Sequence, residues 1–222
     1  FLSMISHKLR TPLVAITGYI PFLLEESSRL SDMQKRAVDA IDKEGRHLAY
    51  LVDDLIRFTM VSALGQEVKL KAKKTNLAKA ADDAIAKTSA LAIGVKANVR
   101  KDIDATLEIT ADPALLSDML RSLIENAIKF NDKKDKDVAV AASVVPAGVL
   151  IKVSDNGPGI PPEERDKMFE WFHQIEEHFT GQVKGMGLGM AFVKKVAQLH
   201  GGSITFNSRL GEGTSFEIIF PS

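Results

Sequence analysis

Three short segments carry residue types that suit a phosphate-bearing ligand. Asp155-Asn156-Gly157-Pro158-Gly159-Ile160 follows the alternation Val149, Ile151, Val153, the pattern of a strand that runs into a tight turn. A carboxylate there can accept a hydrogen bond, and the glycines let backbone come close to a ligand. Asp-Asn-Gly also occurs in turns for conformational reasons alone, so by itself this run is equally a plain strand-to-helix turn. Gly185-Met186-Gly187-Leu188-Gly189 stands directly before the helical run Ala191, Val193, Val196, Ala197 and Leu199. Glycines that open a helix present backbone N–H groups and the positive end of a dipole, which suits phosphate. The loop is not a dinucleotide fingerprint, because no βαβ unit with a ribose-binding acid follows, and it lacks the lysine and hydroxyl that end a P-loop. Finally, Glu125-Asn126-Ala127-Ile128-Lys129-Phe130 places Asn126 and Lys129 three apart on one helical face. A carboxamide oxygen can hold Mg²⁺ and an ammonium can meet phosphate. Taken alone, the strip is an ordinary solvent-facing helix surface.

These segments need elements to hold them. Asp112-Pro113 is an N-cap and first-turn pair that opens the helix carrying Asn126. Around it the chain reads as strands near 95–100, 105–110, 137–145, 148–154, 202–207 and 214–220, with helices near 76–93, 113–130, 162–170 and 187–200, an α+β layer arrangement. Two stretches are irregular. The run from Asn131 to Asp137 is charged and free of glycine and reads as a solvated connection. From about Phe172 to Lys184 the sequence is polar, lacks a clear period and leads into glycines, the pattern of a lid.

The first third is different. Phe1, Ile5, Leu9, Leu13, Ile16, Ile20 and Leu23 or Leu24 recur at helical spacing to about Ser27, with Pro12 and Pro21 inside the run, each favouring a bend. Ser31 is an N-cap candidate after the Ser27-Ser28-Arg29-Leu30 turn, and Ala37, Ile41, Leu48, Leu51, Leu55 and Phe58 continue a second helix. A lone hairpin cannot cover both apolar stripes, so pairing with a second copy into a four-helix bundle, a homodimer, is expected. At Gly65 the pattern changes to an alternation of Val68, Leu70 and Ala72 with lysines, which places the domain boundary there: residues 1–66 as a helical hairpin and 67–222 as a second domain.

Bulk properties set limits. The 222 residues include 29 basic and 29 acidic side chains, so no net field favours nucleic acid or an anionic membrane. No run approaches the ~20 apolar residues needed to span a bilayer. With no cysteine there is no disulfide or thiolate metal site, in keeping with a reducing cytoplasm. The chain opens on Phe1 inside a helical pattern without an initiator methionine, so it is expected to come from a longer protein whose input domain precedes it. Any membrane contact would then run through those preceding segments.

In their order along the chain, these segments resemble the GHKL, or Bergerat, ATP-binding fold shared by gyrase and mismatch-repair ATPases. Phe169-Glu170-Trp171-Phe172 and Gly211-Glu212-Gly213-Thr214 complete the N, G1, F, G2 and G3 boxes of the sensor histidine kinases. The resemblance implies an α+β two-layer sandwich that binds ATP and Mg²⁺. In it Asp155 would accept from the adenine amino group, with Gly157, Gly159 and Ile160 shaping that pocket and Thr214 supporting it. Asn126 would hold Mg²⁺, and Lys129 and Lys184 would contact phosphate. The loop Gly185, Gly187, Leu188 and Gly189 would cover the phosphates, while Phe169 and Phe172 would anchor the lid.

Ser6-His7-Lys8-Leu9-Arg10-Thr11-Pro12-Leu13 resembles the same family's phosphoacceptor box, which makes His7 the nucleophile. A neutral imidazole, with an ordinary pKa of about 6.5, needs no further activation near pH 7. The phosphoryl group would then pass to an aspartate of a response-regulator receiver domain. Lys8 stands where the family carries an acidic residue that orients the imidazole, and lysine cannot accept that hydrogen bond. Thr11 holds the position that helps dephosphorylate the receiver, and Ser122 replaces a second asparagine one turn before Asn126. These departures leave open a nucleotide-binding scaffold or a phosphatase-biased module. His47, His173, His178 and His200 form no metal-ligand spacing and read as surface or packing residues.

Overall fold

The computed structural model describes residues 2–25, 30–63, 70–174 and 187–221. The chain divides into two compact units, Phe1–Ser62 and Ala63–Ser222. The expected boundary after residue 66, with Gly65 and Val68, lies outside the described residues.

In the first unit, helix α1 (Leu2–Glu25) carries both Pro12 and Pro21 inside it, and helix α2 (Asp32–Ala63) follows. Helix α2 begins where the sequence places its cap. The Gln34 N–H donates to Ser31 Oγ at 3.3 Å while the Ser31 N–H donates to Gln34 Oε1 at 2.8 Å, a reciprocal capping box that satisfies two end donors. Leu13, Ile20 and Val52 are buried between the helices. They approach closely at Gly45, where an added Cβ would lie 3.4 Å from Thr17 Cγ2 and 3.5 Å from Ile16 Cγ2. A second apolar surface stays uncovered: Tyr19 is 71% exposed, Phe22 64% and Val14 61%.

The second unit is a sheet layered with helices. A short strand β1 (Lys73–Asn76) leads into α3 (Leu77–Val95), β2 (Ala97–Asp102), β3 (Glu108–Ala111) and α4 (Pro113–Lys129). The hairpin β4 (Lys136–Val145) and β5 (Gly148–Asp155) comes next, then α5 (Gly189–Leu199), β6 (Ser203–Arg209) and β7 (Gly213–Phe220). Strands β1 and β3 form a two-stranded antiparallel ladder. The main sheet runs β2-β4-β5-β7-β6, parallel only between β2 and β4. Buried Val149, Ile151 and Val153 alternate with less buried neighbours along β5, so one face of the sheet carries the core. That core continues into α4, whose Leu116, Met119, Leu120, Leu123, Ile124 and Ile128 are fully buried. Helix α4 is anchored as the sequence indicates: Asp112 Oδ1 accepts from the N–H groups of Ala114 and Leu115, and Pro113 fills the first turn.

The structure departs from the sequence reading at three places. The helix expected over 162–170 is a 3₁₀ turn at Pro162–Glu164 followed by further turns. Side chains there answer to tertiary partners instead of a helical face: Arg165 Nη2 donates to Ser208 O at 2.8 Å, and Phe169 packs edge-on against Phe206. Secondly, the strand after the boundary starts at Lys73, beyond the alternation of Leu70 and Ala72. Thirdly, the stretch Asn131 to Asp137 is solvated only in its middle, because Asn131 is buried and Lys136 and Asp137 already belong to β4.

Candidate active site

Asp155 ends β5, paired in register with Val138 of β4 on one side and Thr214 of β7 on the other. The chain then turns sharply, and the Gly157 N–H donates to Asp155 Oδ1 at 2.8 Å. A Cβ at Gly157 would fall 2.8 Å from that same oxygen, so any larger residue would push the carboxylate out of this position. Burial pushes the Asp155 carboxyl above the ordinary aspartate range, and hydrogen bonds from the backbone N–H groups of Gly157 and Thr214 partly oppose the shift. Gly159 has φ +77°, and a Cβ there would lie 2.2 Å from the Arg209 carbonyl oxygen, which forces close backbone contact with the β6–β7 turn.

Beneath this turn lies a buried hydroxyl cluster. The Ile160 N–H donates to Ser208 Oγ at 2.8 Å, and Ser208 Oγ lies 2.9 Å from Thr214 Oγ1 and 3.2 Å from Gly213 O. Ile160, Ser208 and Thr214 are all buried. Ser208 escapes sequence reasoning because it lies 48 positions from Ile160 and shows only an ordinary serine in a strand.

The second cluster is built on α4 and the start of α5. Asn126 is half-buried, and its side-chain amide atoms lie 3.6 and 3.8 Å from where a Cβ on Gly189 would stand. Asn126 thus faces the first turn of α5, whose N-cap residue, Leu188, supplies no side-chain hydrogen bond. The N–H groups of that turn are therefore not met by a side-chain cap, and an anion suits them. One turn along α4, Lys129 Nζ lies 3.3 Å from Glu125 Oε2, while Arg121 Nη1 donates to Glu125 Oε1 at 2.7 Å. Lys129 therefore carries its charge within a paired row of cations flanking Glu125.

Gly187, at φ +69°, touches the segment after the 3₁₀ turn: the Phe172 N–H donates to Gly187 O at 3.0 Å, and a Cβ on Gly187 would meet His173 O at 2.3 Å. Phe172 itself has φ +65°. Lys184, Gly185 and Met186, with most of the expected lid, lie outside the described residues. His7, Lys8 and Thr11, the residues expected at the phosphoacceptor box, all fall on helix α1 of the first unit. A groove of about 160 Å³ within that unit is lined by Leu13, Val14, Thr17, Ala49, Val52 and Asp53 of the two helices.

Two families match this chain, one per end. Residues 111–222 match the family described as histidine kinase-, DNA gyrase B-, and HSP90-like ATPase, and residues 1–63 match the His Kinase A (phospho-acceptor) domain. The chain belongs to the sensor histidine kinases. An uncharacterised sensor-like histidine kinase of Rhizobium meliloti is 34% identical over 224 residues, covering 100% of this chain and 42% of the relative. The circadian input-output histidine kinase CikA of Synechococcus elongatus is 30% identical, covering 100% of this chain and 29% of its own. The chain therefore spans less than half the length of these relatives. Among solved structures, full-length ShkA in complex with AMPPNP superimposes with a TM-score of 0.73 at 29% identity, covering 98% of this chain and 44% of ShkA. Acinetobacter baumannii AdeS shares the fold, with a TM-score of 0.64 at 20% identity over 97% of this chain and 98% of AdeS.

Two of the remaining histidines are structural. His200 accepts from the Asp112 N–H through Nε2 at 2.9 Å, so its proton sits on Nδ1, 2.8 Å from Val196 O, and the ring packs on Phe220. It ties the start of α4 to the end of α5. His173 Nε2 lies 2.5 Å from Glu164 Oε2 and pins the segment beside Gly187. Phe169 is held between the Phe206 ring and the Lys194 ammonium. His178 lies outside the described residues. Among those described, no helix is long and apolar enough to cross a membrane, and no group of three or more His, Cys, Asp or Glu could hold a metal ion.

Proposed function

We propose that this chain is a protein-histidine kinase core that transfers the terminal phosphoryl group of ATP to His7. The observation that carries the reading is the presence, within one unit, of a partly buried carboxylate at Asp155 and a helix start at Gly189 that faces Asn126 and whose N-cap residue makes no side-chain bond. The first suits the amino edge of adenine and the second suits phosphate. The AMPPNP complex of ShkA supports the same assignment.

Asp155 Oδ1 is engaged by the Gly157 N–H, and the carboxylate has further lone pairs with which to accept from the 6-amino group of adenine. Ile160 and Thr214 wall that end. The N–H groups at Gly189 receive phosphate oxygens, and Lys129 exchanges part of its pairing with Glu125 for phosphate. The donor set fits a hard cation, since the Asn126 carboxamide supplies oxygen and substrate phosphates complete such a shell. Magnesium, when bound, neutralises phosphate charge. His7 supplies the lone pair: a bond forms from an imidazole nitrogen to the terminal phosphorus as the bridging P–O bond breaks, and that electron pair leaves with ADP. Positioning and charge stabilisation carry such a step, with little covalent work asked of the protein.

The uncovered apolar face with Val14, Tyr19 and Phe22 supports a homodimer through a second hairpin. A receiver-domain aspartate as the next acceptor, Thr11 as an aid to its dephosphorylation, and a cytoplasmic setting belong to the same proposal. Lys8 bears on the rate. A cation beside a developing imidazolium opposes the charge and cannot orient the ring, so Lys8→Glu is expected to raise the initial autophosphorylation rate about tenfold, the worth of one orienting hydrogen bond. An initial rate equal to or below wild type would refute that role.

Incubating the chain with γ-labelled Mg-ATP tests the function. Acid-labile, alkali-stable label on the protein is expected. An unlabelled chain that binds ATP points instead to a scaffold, the reading Lys8 and Ser122 favour. Free phosphate without label points to a gyrase-type ATPase.

A further inference from the structure

We propose that Asn131 is a positioning residue for adenine recognition, clamping the Asp155 turn to the end of the helix that carries Asn126 and Lys129. The inference rests on the reading of Asp155 as the adenine acceptor and adds a residue to it. Asn131 is 4% exposed and stands next after Phe130, the C-cap residue of α4. Its Nδ2 donates to Asn156 Oδ1 at 2.7 Å, its Oδ1 accepts from the Lys133 N–H at 3.0 Å, and its carbonyl oxygen accepts from Lys136 Nζ.

Asn156 is held from every side by the same connection. Its Oδ1 also accepts from the Asp137 N–H at 2.9 Å, its Nδ2 donates to Asp135 O at 2.9 Å, and its own N–H donates to Asp137 O at 3.3 Å. Asn156 lies between Asp155 and Gly157, whose N–H orients the carboxylate. Asn131 Cα also stands only 3.4 Å from where a Gly157 Cβ would be, so Asn131 forms the floor of the turn.

The physical consequence is a fixed distance between the two ends of the site. If the Asn156 peptide rotates, Gly157 N moves with it and the carboxylate loses its aim. Only a side chain with both a donor and an acceptor serves here, because Asn156 Oδ1 needs a donor and the Lys133 N–H needs an acceptor. Lys133 Nζ donates to Gly211 O at 3.2 Å, which ties the same connection to the β6–β7 turn as well.

Asn131→Asp keeps the size and the acceptor, removes the donor and sets a carboxylate against Asn156 Oδ1. Calorimetric titration of the full chain with ATP and with GTP reads the effect. ATP affinity is expected to fall about tenfold and GTP affinity less than about twofold, because GTP lacks the 6-amino group that Asp155 receives. General loosening would lower both alike, so an unchanged ATP-to-GTP ratio overturns the proposal. Asn156→Ala removes the other half of the clamp and should narrow the ratio equally; it decides the matter if Asn131→Asp lacks a cooperative thermal transition. A wild-type chain that binds no ATP would overturn the proposed function and this inference together, whereas wild-type binding with an unaltered variant ratio would overturn this one only.

Discussion

Asp155→Asn is expected to weaken ATP binding roughly 10- to 150-fold, equivalent to about 1.5–3 kcal/mol for a hydrogen bond to a charged group, without loss of stability at neutral pH. The carboxylate is burdened by desolvation, which raises its pKa. The folded chain therefore holds that proton more tightly than the unfolded chain. Its contribution to stability is complete below the ordinary aspartate pKa and is lost as pH rises through the raised one. At neutral pH the charge is a cost, and the amide avoids it while its oxygen can still accept from Gly157. Binding has the opposite sign, since the ionised form is the stronger acceptor. ATP affinity should fall on acidification at a pH above the usual aspartate range, and the Asn variant should flatten that profile. Calorimetric titration with ATP across pH, alongside thermal melts, checks both halves. A variant that both binds as well as wild type and melts lower would contradict this account of Asp155.

Asn126→Ala is expected to reduce autophosphorylation at saturating Mg-ATP about 10²- to 10³-fold, the scale for removing one preorganised contact to developing charge. The helix should survive, because the bond from the Phe130 N–H to the Asn126 carbonyl involves only backbone. The side chain sits against the first turn of α5, so truncation opens space without stranding a buried charge. Asn126→Asp keeps an oxygen ligand and should recover part of the rate. Initial rates over a magnesium titration separate these outcomes, and full activity of Asn126→Ala would remove the residue from the metal site.

The fold was legible where local rules decide it. Ser31 and Asp112 cap the helices they precede, the alternation through Val149, Ile151 and Val153 is a strand, and glycines mark the turns that close on it. The order of the Asn126, Asp155 and Gly189 segments disclosed the family as well. What stayed hidden depends on pairings distant in sequence. Ser208 earns its place only because β6 returns beside a turn 48 residues earlier, and Asn131 only because Asn156, 25 residues later, comes to rest on it. Local pattern misled over 162–170, where helical spacing was outweighed by the contacts of Arg165 and Phe169. The charges from Asn131 to Asp137 suggested solvent, yet the first residue of that run is a buried amide, a case in which composition averaged over a segment concealed its one constrained member.

Locating the transferred phosphoryl group by mass spectrometry of peptides kept at alkaline pH, in wild type and His7→Gln after incubation with Mg-ATP, is the most direct measurement. The modification should appear on the peptide containing His7 in wild type and vanish in His7→Gln, with ATP affinity unchanged. Equal modification of the two proteins, or a site elsewhere in the chain, would contradict the assignment of His7 as acceptor.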